Sequence, residues 1–173
     1  MNVLELFKKI TTFVFDMDGV LTDGTVLVLE NGQQARRMNI KDGLALQIAL
    51  RNGFRVLIIS GGSSKAAEER LTKLGVKDVF MAVHDKKVFV QNYLTGHQLK
   101  WEEILFMADD LPDLALMKVT GVSTCPADAV QEIKQVSKYI STFNGGCGCV
   151  RDIIEKVLKV QDKWIFDTSV TSR

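Results

Sequence analysis

Four short apolar runs, three of them cut off by a polar residue, limit what this chain can fold into more than any other feature. Thr12-Phe13-Val14-Phe15 stops at Asp16, and Arg55-Val56-Leu57-Ile58-Ile59 stops at Ser60-Gly61-Gly62. Ile104-Leu105-Phe106-Met107-Ala108 stops at Asp109-Asp110, and Gly121-Val122-Ser123-Thr124 stops at Cys125-Pro126. Runs of this kind, rich in β-branched and aromatic residues, read as strands buried on both faces. Amphipathic stretches at 43–52, 64–74, 86–94 and 112–119 fall between them. Strand and helix in alternation predict βαβ units, and so an α/β, Rossmann-like domain with a parallel sheet flanked by helices. A length of 173 residues leaves room for one such domain, placed at 1–160, with 161–173 as a C-terminal tail.

One segment breaks the rhythm. Thr25-Val26-Leu27-Val28-Leu29 and the stretch 33–38 flank Glu30-Asn31-Gly32, and Asn-Gly is a strong hairpin signal. A β-hairpin over about 25–38 is therefore expected to leave the sheet between the first strand and the first helix. Its first strand alternates Val26 and Val28 with Leu27 and Leu29, so it is apolar on both faces.

Several function classes are excluded early. With 22 basic against 21 acidic side chains the net charge is +1, which argues against a nucleic-acid binder working through a broad basic surface. No apolar run approaches the roughly 20 residues that span a bilayer. Met1 to Lys9 has acid where a signal peptide has base, and no membrane association is expected. The expected location is cytoplasmic. Cys125, Cys147 and Cys149 suggest neither a disulfide framework nor a zinc site, because His84 and His97 lie far away in sequence.

The polar residues that end the strands matter most. In open α/β sheets the carboxyl edge is where ligands bind, so Asp16, Ser60 and Asp109 should share one site. Asp16 and Asp18, with Gly19 behind them, repel one another unless a proton or a cation intervenes. Alone, such a motif is as easily a turn. Here it is followed in order by Ser60-Gly61-Gly62, by Lys86 at a helix start, and by Asp109, Asp110 and Asp113. A phosphate dianion needs hydroxyl and backbone N–H donors, which Ser60 and the Gly61 turn offer, and a fixed positive charge, which Lys86 offers. Lys87 is the rival for that lysine. Oxygen ligands from Asp16 and Asp109 suit Mg²⁺. Asp110 and Asp113 either support the metal shell or serve the start of the following helix. Asp23 and Asp42 precede glycines and read as turn or capping residues.

These motifs resemble the haloacid dehalogenase superfamily. The resemblance implies that Asp16 attacks phosphorus to form an aspartyl-phosphate and that Asp18 acts as general acid/base. It also implies that Asp16, Asp109 and the backbone carbonyl of Asp18 ligate Mg²⁺. Ala108 stands where many relatives have glycine. The intervals from Asp16 to Ser60 and from Ser60 to Lys86 are used up by short elements, which leaves no cap domain. Asn39-Ile40-Lys41-Asp42-Gly43 and Gly145-Gly146-Cys147-Gly148-Cys149 sharpen the resemblance to the capless sugar-acid phosphatases of lipopolysaccharide biosynthesis. That group implies a homotetramer built on the hairpins and a small-molecule sugar-acid phosphate substrate, in first place 3-deoxy-D-manno-octulosonate 8-phosphate. Cys147 replaces the arginine that octulosonate enzymes commonly carry, which keeps nonulosonate 9-phosphates as the alternative. Gly62, Arg70 and Lys73 are candidates for substrate selection, with a solvated helix face as the other reading of Arg70 and Lys73. A receiver-like signalling module and a catalytically idle partner domain are the rival classes. Asp18 argues against the first, and the intact residue set against the second.

Overall fold

A computed structural model describes residues 2–165; most of the expected tail, 166–173, lies outside the described residues. The chain runs through α1 (Val3–Phe7), β1 (Thr12–Asp16), β2 (Leu27–Val28), β3 (Gln34–Ala35), α2 (Ile40–Arg51), β4 (Arg55–Ile59) and α3 (Lys65–Lys73). It continues through β5 (Asp78–Phe80), α4 (Lys86–His97), β6 (Ile104–Met107), α5 (Leu114–Met117), β7 (Val122–Cys125), α6 (Gln131–Val136), β8 (Tyr139–Ile140) and α7 (Cys149–Val160). Six strands form a parallel sheet in the order β5-β4-β1-β6-β7-β8, which puts β1 in the interior. The expected α/β architecture holds.

Alternation along the strands sorts the core into two layers. Phe13, Phe15, Val56, Ile58, Leu105 and Met107 face α1, α2, α3 and α7. Val14, Leu57, Ile59 and Phe106 face α4, α5 and α6. Every residue of β1 is buried, which is why its sequence shows no polar alternation.

One expectation needs revision, and two regions add detail to the rest. The helix expected at 112–119 is a single tight turn, Leu111–Asp113, followed by the short α5. The side chain of Asp110 accepts from the Leu111 N–H and sets that turn. The hairpin forms but is slight: Leu27 pairs with Ala35 and Val28 with Gln34, and an isolated bridge joins Thr22 to Met38 at its base. Neither face of its first strand rests on the domain, since Leu27 is 63% and Val28 68% exposed. Residues beyond 125 also hold α6, β8 and α7, although Val150, Ile153, Ile154, Val157 and Leu158 carry a plain helical period.

Candidate active site

Each functional side chain is delivered by an element that ends at the carboxyl edge of the sheet. Asp16 closes β1, and its carboxylate accepts from the next backbone N–H, Met17 (2.7 Å). The chain then turns through a wide loop closed by the Thr22 N–H on the Met17 carbonyl (3.0 Å). Gly19 stands in this loop at φ +83°, and a Cβ there would lie 1.9 Å from Asp109 Oδ2. Only glycine lets the first aspartate loop approach the second one so closely. Gly145 matches it from behind, because its missing Cβ would lie 1.9 Å from the Gly19 carbonyl oxygen.

Ser60 follows β4 and is buried, with its Oγ accepting from the Gly62 N–H (3.1 Å). Lys86 is the first residue of α4, whose N-cap Asp85 accepts from the Val88 N–H (2.9 Å). Helical side chains tilt toward the N-terminus, and Lys86 accordingly reaches back into the site while Lys87 stays exposed. The Lys86 ammonium donates to Asp16 Oδ1 (2.7 Å) and to Asp113 Oδ2 (2.9 Å). Asp113 is 2% exposed. Its side chain bonds Lys86 and caps no helix. Ala108 keeps ordinary negative φ, so the expected glycine is not required by the backbone.

Asp16, Asp18, Gly19, Ser60, Gly61, Lys86, Asp109, Asp110 and Asp113 line one open pocket of about 400 Å³, joined by Gly24, Val83, His84 and Pro112. A larger depression, about 710 Å³, lies at the opposite edge around Trp101, Gly121 and Lys138; it gathers no carboxylates comparable to these. Gly62 borders the site, with Asp18 Oδ2 3.4 Å from where its Cβ would be. Arg70 and Lys73 do not join the pocket but line a separate depression on α3. Two residues at the site escaped the sequence reading: His84, which lines the pocket, and Arg36, which lies outside that lining but whose Nε donates to Asp18 Oδ1 (2.6 Å).

Four carboxylates of this pocket crowd around one ammonium. Burial, only partly offset by Lys86, pushes the Asp16 carboxyl up to about 7. Burial and then the neighbouring Asp110 push Asp109 up to about 6. Asp113 is raised too, by burial, with Lys86 opposing. Burial works against the charge of Lys86, but Asp16 and Asp113 outweigh it and its pKa ends above the ordinary range. A cluster this short of positive charge suits a cation. The donors are all hard oxygens, and Asp113 Oδ1 is buried without a hydrogen-bond partner. Among the described residues no three His, Cys, Asp or Glu side chains form a ready cage. Mg²⁺ needs only one or two carboxylates beside its own waters.

Known proteins share this fold and part of this sequence. No family model matches the chain. The 3-deoxy-D-manno-octulosonate 8-phosphate phosphatase of Yersinia pestis is 29% identical over 162 residues, covering 94% of this chain and 87% of the relative. The corresponding enzyme of Moraxella catarrhalis, solved with magnesium, phosphate and KDO, superposes with a TM-score of 0.91 at 29% identity, covering 94% and 93% of the two chains. A probable YrbI family phosphatase from Pseudomonas syringae pv. phaseolica gives a TM-score of 0.91 at 31% identity, covering 94% and 92%. Fold and pocket together are those of a phosphatase of the haloacid dehalogenase type. Within that class the chain belongs to the YrbI family.

Proposed function

We propose that this protein is a Mg²⁺-dependent phosphatase of 3-deoxy-D-manno-octulosonate 8-phosphate, acting in the cytoplasm on the way to lipopolysaccharide as a capless, single-domain homotetramer. The observation that carries the reading is the convergence of Asp16, Asp18, Ser60, Lys86 and Asp109 on one pocket. It is joined by the likeness to the Moraxella enzyme, whose structure holds magnesium, phosphate and KDO. The short elements between Asp16 and Ser60, and between Ser60 and Lys86, support the absence of a cap.

In this mechanism Asp16 attacks phosphorus in line and becomes an aspartyl-phosphate. Asp18 protonates the leaving alkoxide and then takes a proton from the water that releases phosphate. Ser60 and the backbone around Gly61 receive the phosphoryl oxygens, and Lys86 holds the nucleophile and offsets their charge. Asp16, Asp109 and the Asp18 carbonyl would hold Mg²⁺, which would neutralise the negative charge of the site. Asp110 and Asp113 support that shell. Gly62 leaves room for the sugar. Arg70 and Lys73, remote from the pocket within one chain, act in substrate choice only if a neighbouring copy brings them near.

Exposed Cys147 lies beside Asn39, Lys41 and Arg151, and it offers no bidentate clamp for a substrate carboxylate. That observation favours a nonulosonate 9-phosphate as the second reading. Turnover of purified protein with Mg²⁺ against a panel of sugar-acid phosphates separates the two by their kcat/KM. Exhaustive metal removal should abolish turnover while far-UV circular dichroism stays unchanged, because the metal is mostly hydrated and not structural. Full activity in excess chelator would sink the mechanism.

A further inference from the structure

The contact between Arg36 and Asp18 has no part in the mechanism above. Arg36 directly follows β3, in the stretch that leads from the hairpin back to the Thr22–Met38 bridge. Its side chain is only 11% exposed, although the hairpin around it is open to solvent. Nε donates to Asp18 Oδ1 at 2.6 Å. The other oxygen, Oδ2, faces Gly62, where a Cβ would lie 3.4 Å from Oδ2 and 3.9 Å from Arg36 Nη2. One oxygen of Asp18 is thus pinned and the other is left free at the pocket.

A carboxylate that is 39% exposed can turn about its side-chain bonds. A charge-assisted hydrogen bond to one oxygen removes that freedom and aims the second. Proton transfer to a leaving group depends on such aim, since the donor must lie within hydrogen-bond reach of the departing oxygen. Resting on the reading of Asp18 as acid/base, we infer that Arg36 is a positioning residue for Asp18. The hairpin carries it, so the acid/base is aligned only while the hairpin is held in place.

A leaving-group comparison tests this on the full chain with Mg²⁺. 4-Nitrophenyl phosphate departs as a stable phenolate and needs little protonation, whereas an alkyl phosphate needs the proton. Single-turnover rates with enzyme in excess read the first transfer alone. Arg36→Ala should slow alkyl transfer by on the order of tenfold or more and leave aryl transfer close to wild type. Arg36→Lys should recover part of the alkyl rate. Arg36→Met, of similar bulk and no charge, should behave as Arg36→Ala does and guards against a folding defect in the smaller variant. Equal losses on both esters, or no loss on either, would overturn the inference. If the wild-type protein turned over neither ester, the phosphatase reading itself would fail, and this inference with it.

Discussion

Asp16 and Asp18 stand two residues apart yet meet different surroundings, and their variants should separate accordingly. Asp16 is buried against Lys86, while Asp18 stands at the pocket mouth against Arg36. Asp16→Asn should lose turnover and covalent phosphate labelling together, because an amide is a poor nucleophile and a weak ligand. Asp18→Asn should still label but turn over more slowly by a factor on the order of 10² to 10⁴; wild-type turnover with chemistry rate-limiting would remove Asp18 from its role. The raised carboxyls also predict how metal loading responds to pH. Asp16 at about 7 and Asp109 at about 6 hold protons well above the ordinary carboxylate range. A protonated carboxyl does not ligate, so proton and Mg²⁺ compete, and apparent Mg²⁺ affinity should fall as pH drops through about 7 and then about 6. The Mg²⁺ concentration at half-maximal activation should therefore rise between about pH 8 and pH 6, with excess metal restoring activity. A half-saturation point indifferent to pH would contradict this.

At the scale of elements, the strand ends were legible because a buried parallel strand writes itself as an unbroken apolar run, and whatever stops it lies on the ligand-binding edge. That logic reaches Asp16, Ser60 and Asp109 from sequence alone, and the three do line one pocket. It does not reach Arg36, whose place depends on how a two-residue ladder and the Thr22–Met38 bridge return the chain to Asp18. Asp42 shows the same limit. Its Asp-Gly context reads as a local turn or cap, whereas its buried carboxylate caps a distant helix: it accepts from the Gly148 N–H (3.2 Å) and the Arg151 N–H (2.7 Å) at the start of α7. No local pattern reports a hydrogen bond between residues this far apart. Asp42→Ala strips those N–H groups of their partner and should cost about 1–3 kcal/mol of unfolding free energy. Asp42→Asn, which keeps one acceptor, should cost less. Urea midpoints for the two variants check the order, and equal midpoints for both variants and wild type would refute the long-range cap.

The whole molecule leaves an apolar ridge, Val26 to Leu29, standing in solvent. Two-stranded hairpins are marginal alone, and an exposed apolar patch of this kind marks an interface. Lysine at Leu27 and Leu29 together, or at Val26 and Val28 together, should give smaller particles by light scattering in at least one case. Through Arg36 the same variants should lose alkyl-ester turnover more than aryl-ester turnover. Folded variants of unchanged mass would exclude the hairpin from the assembly. The other end of the chain matters equally to the site. Gly146 donates its N–H to the Val20 carbonyl (2.9 Å), Cys149 Sγ leans on the same oxygen (3.3 Å), and Gly145 abuts Gly19. The loop that follows Asp16, the proposed nucleophile, is thus buttressed by residues more than a hundred positions later in the chain. A chain truncated before Gly145 would contain every residue of the proposed chemistry and still hold its first loop unsupported. Catalytic competence should therefore demand the start of α7, and a chain that stops short of it should stay chemically silent.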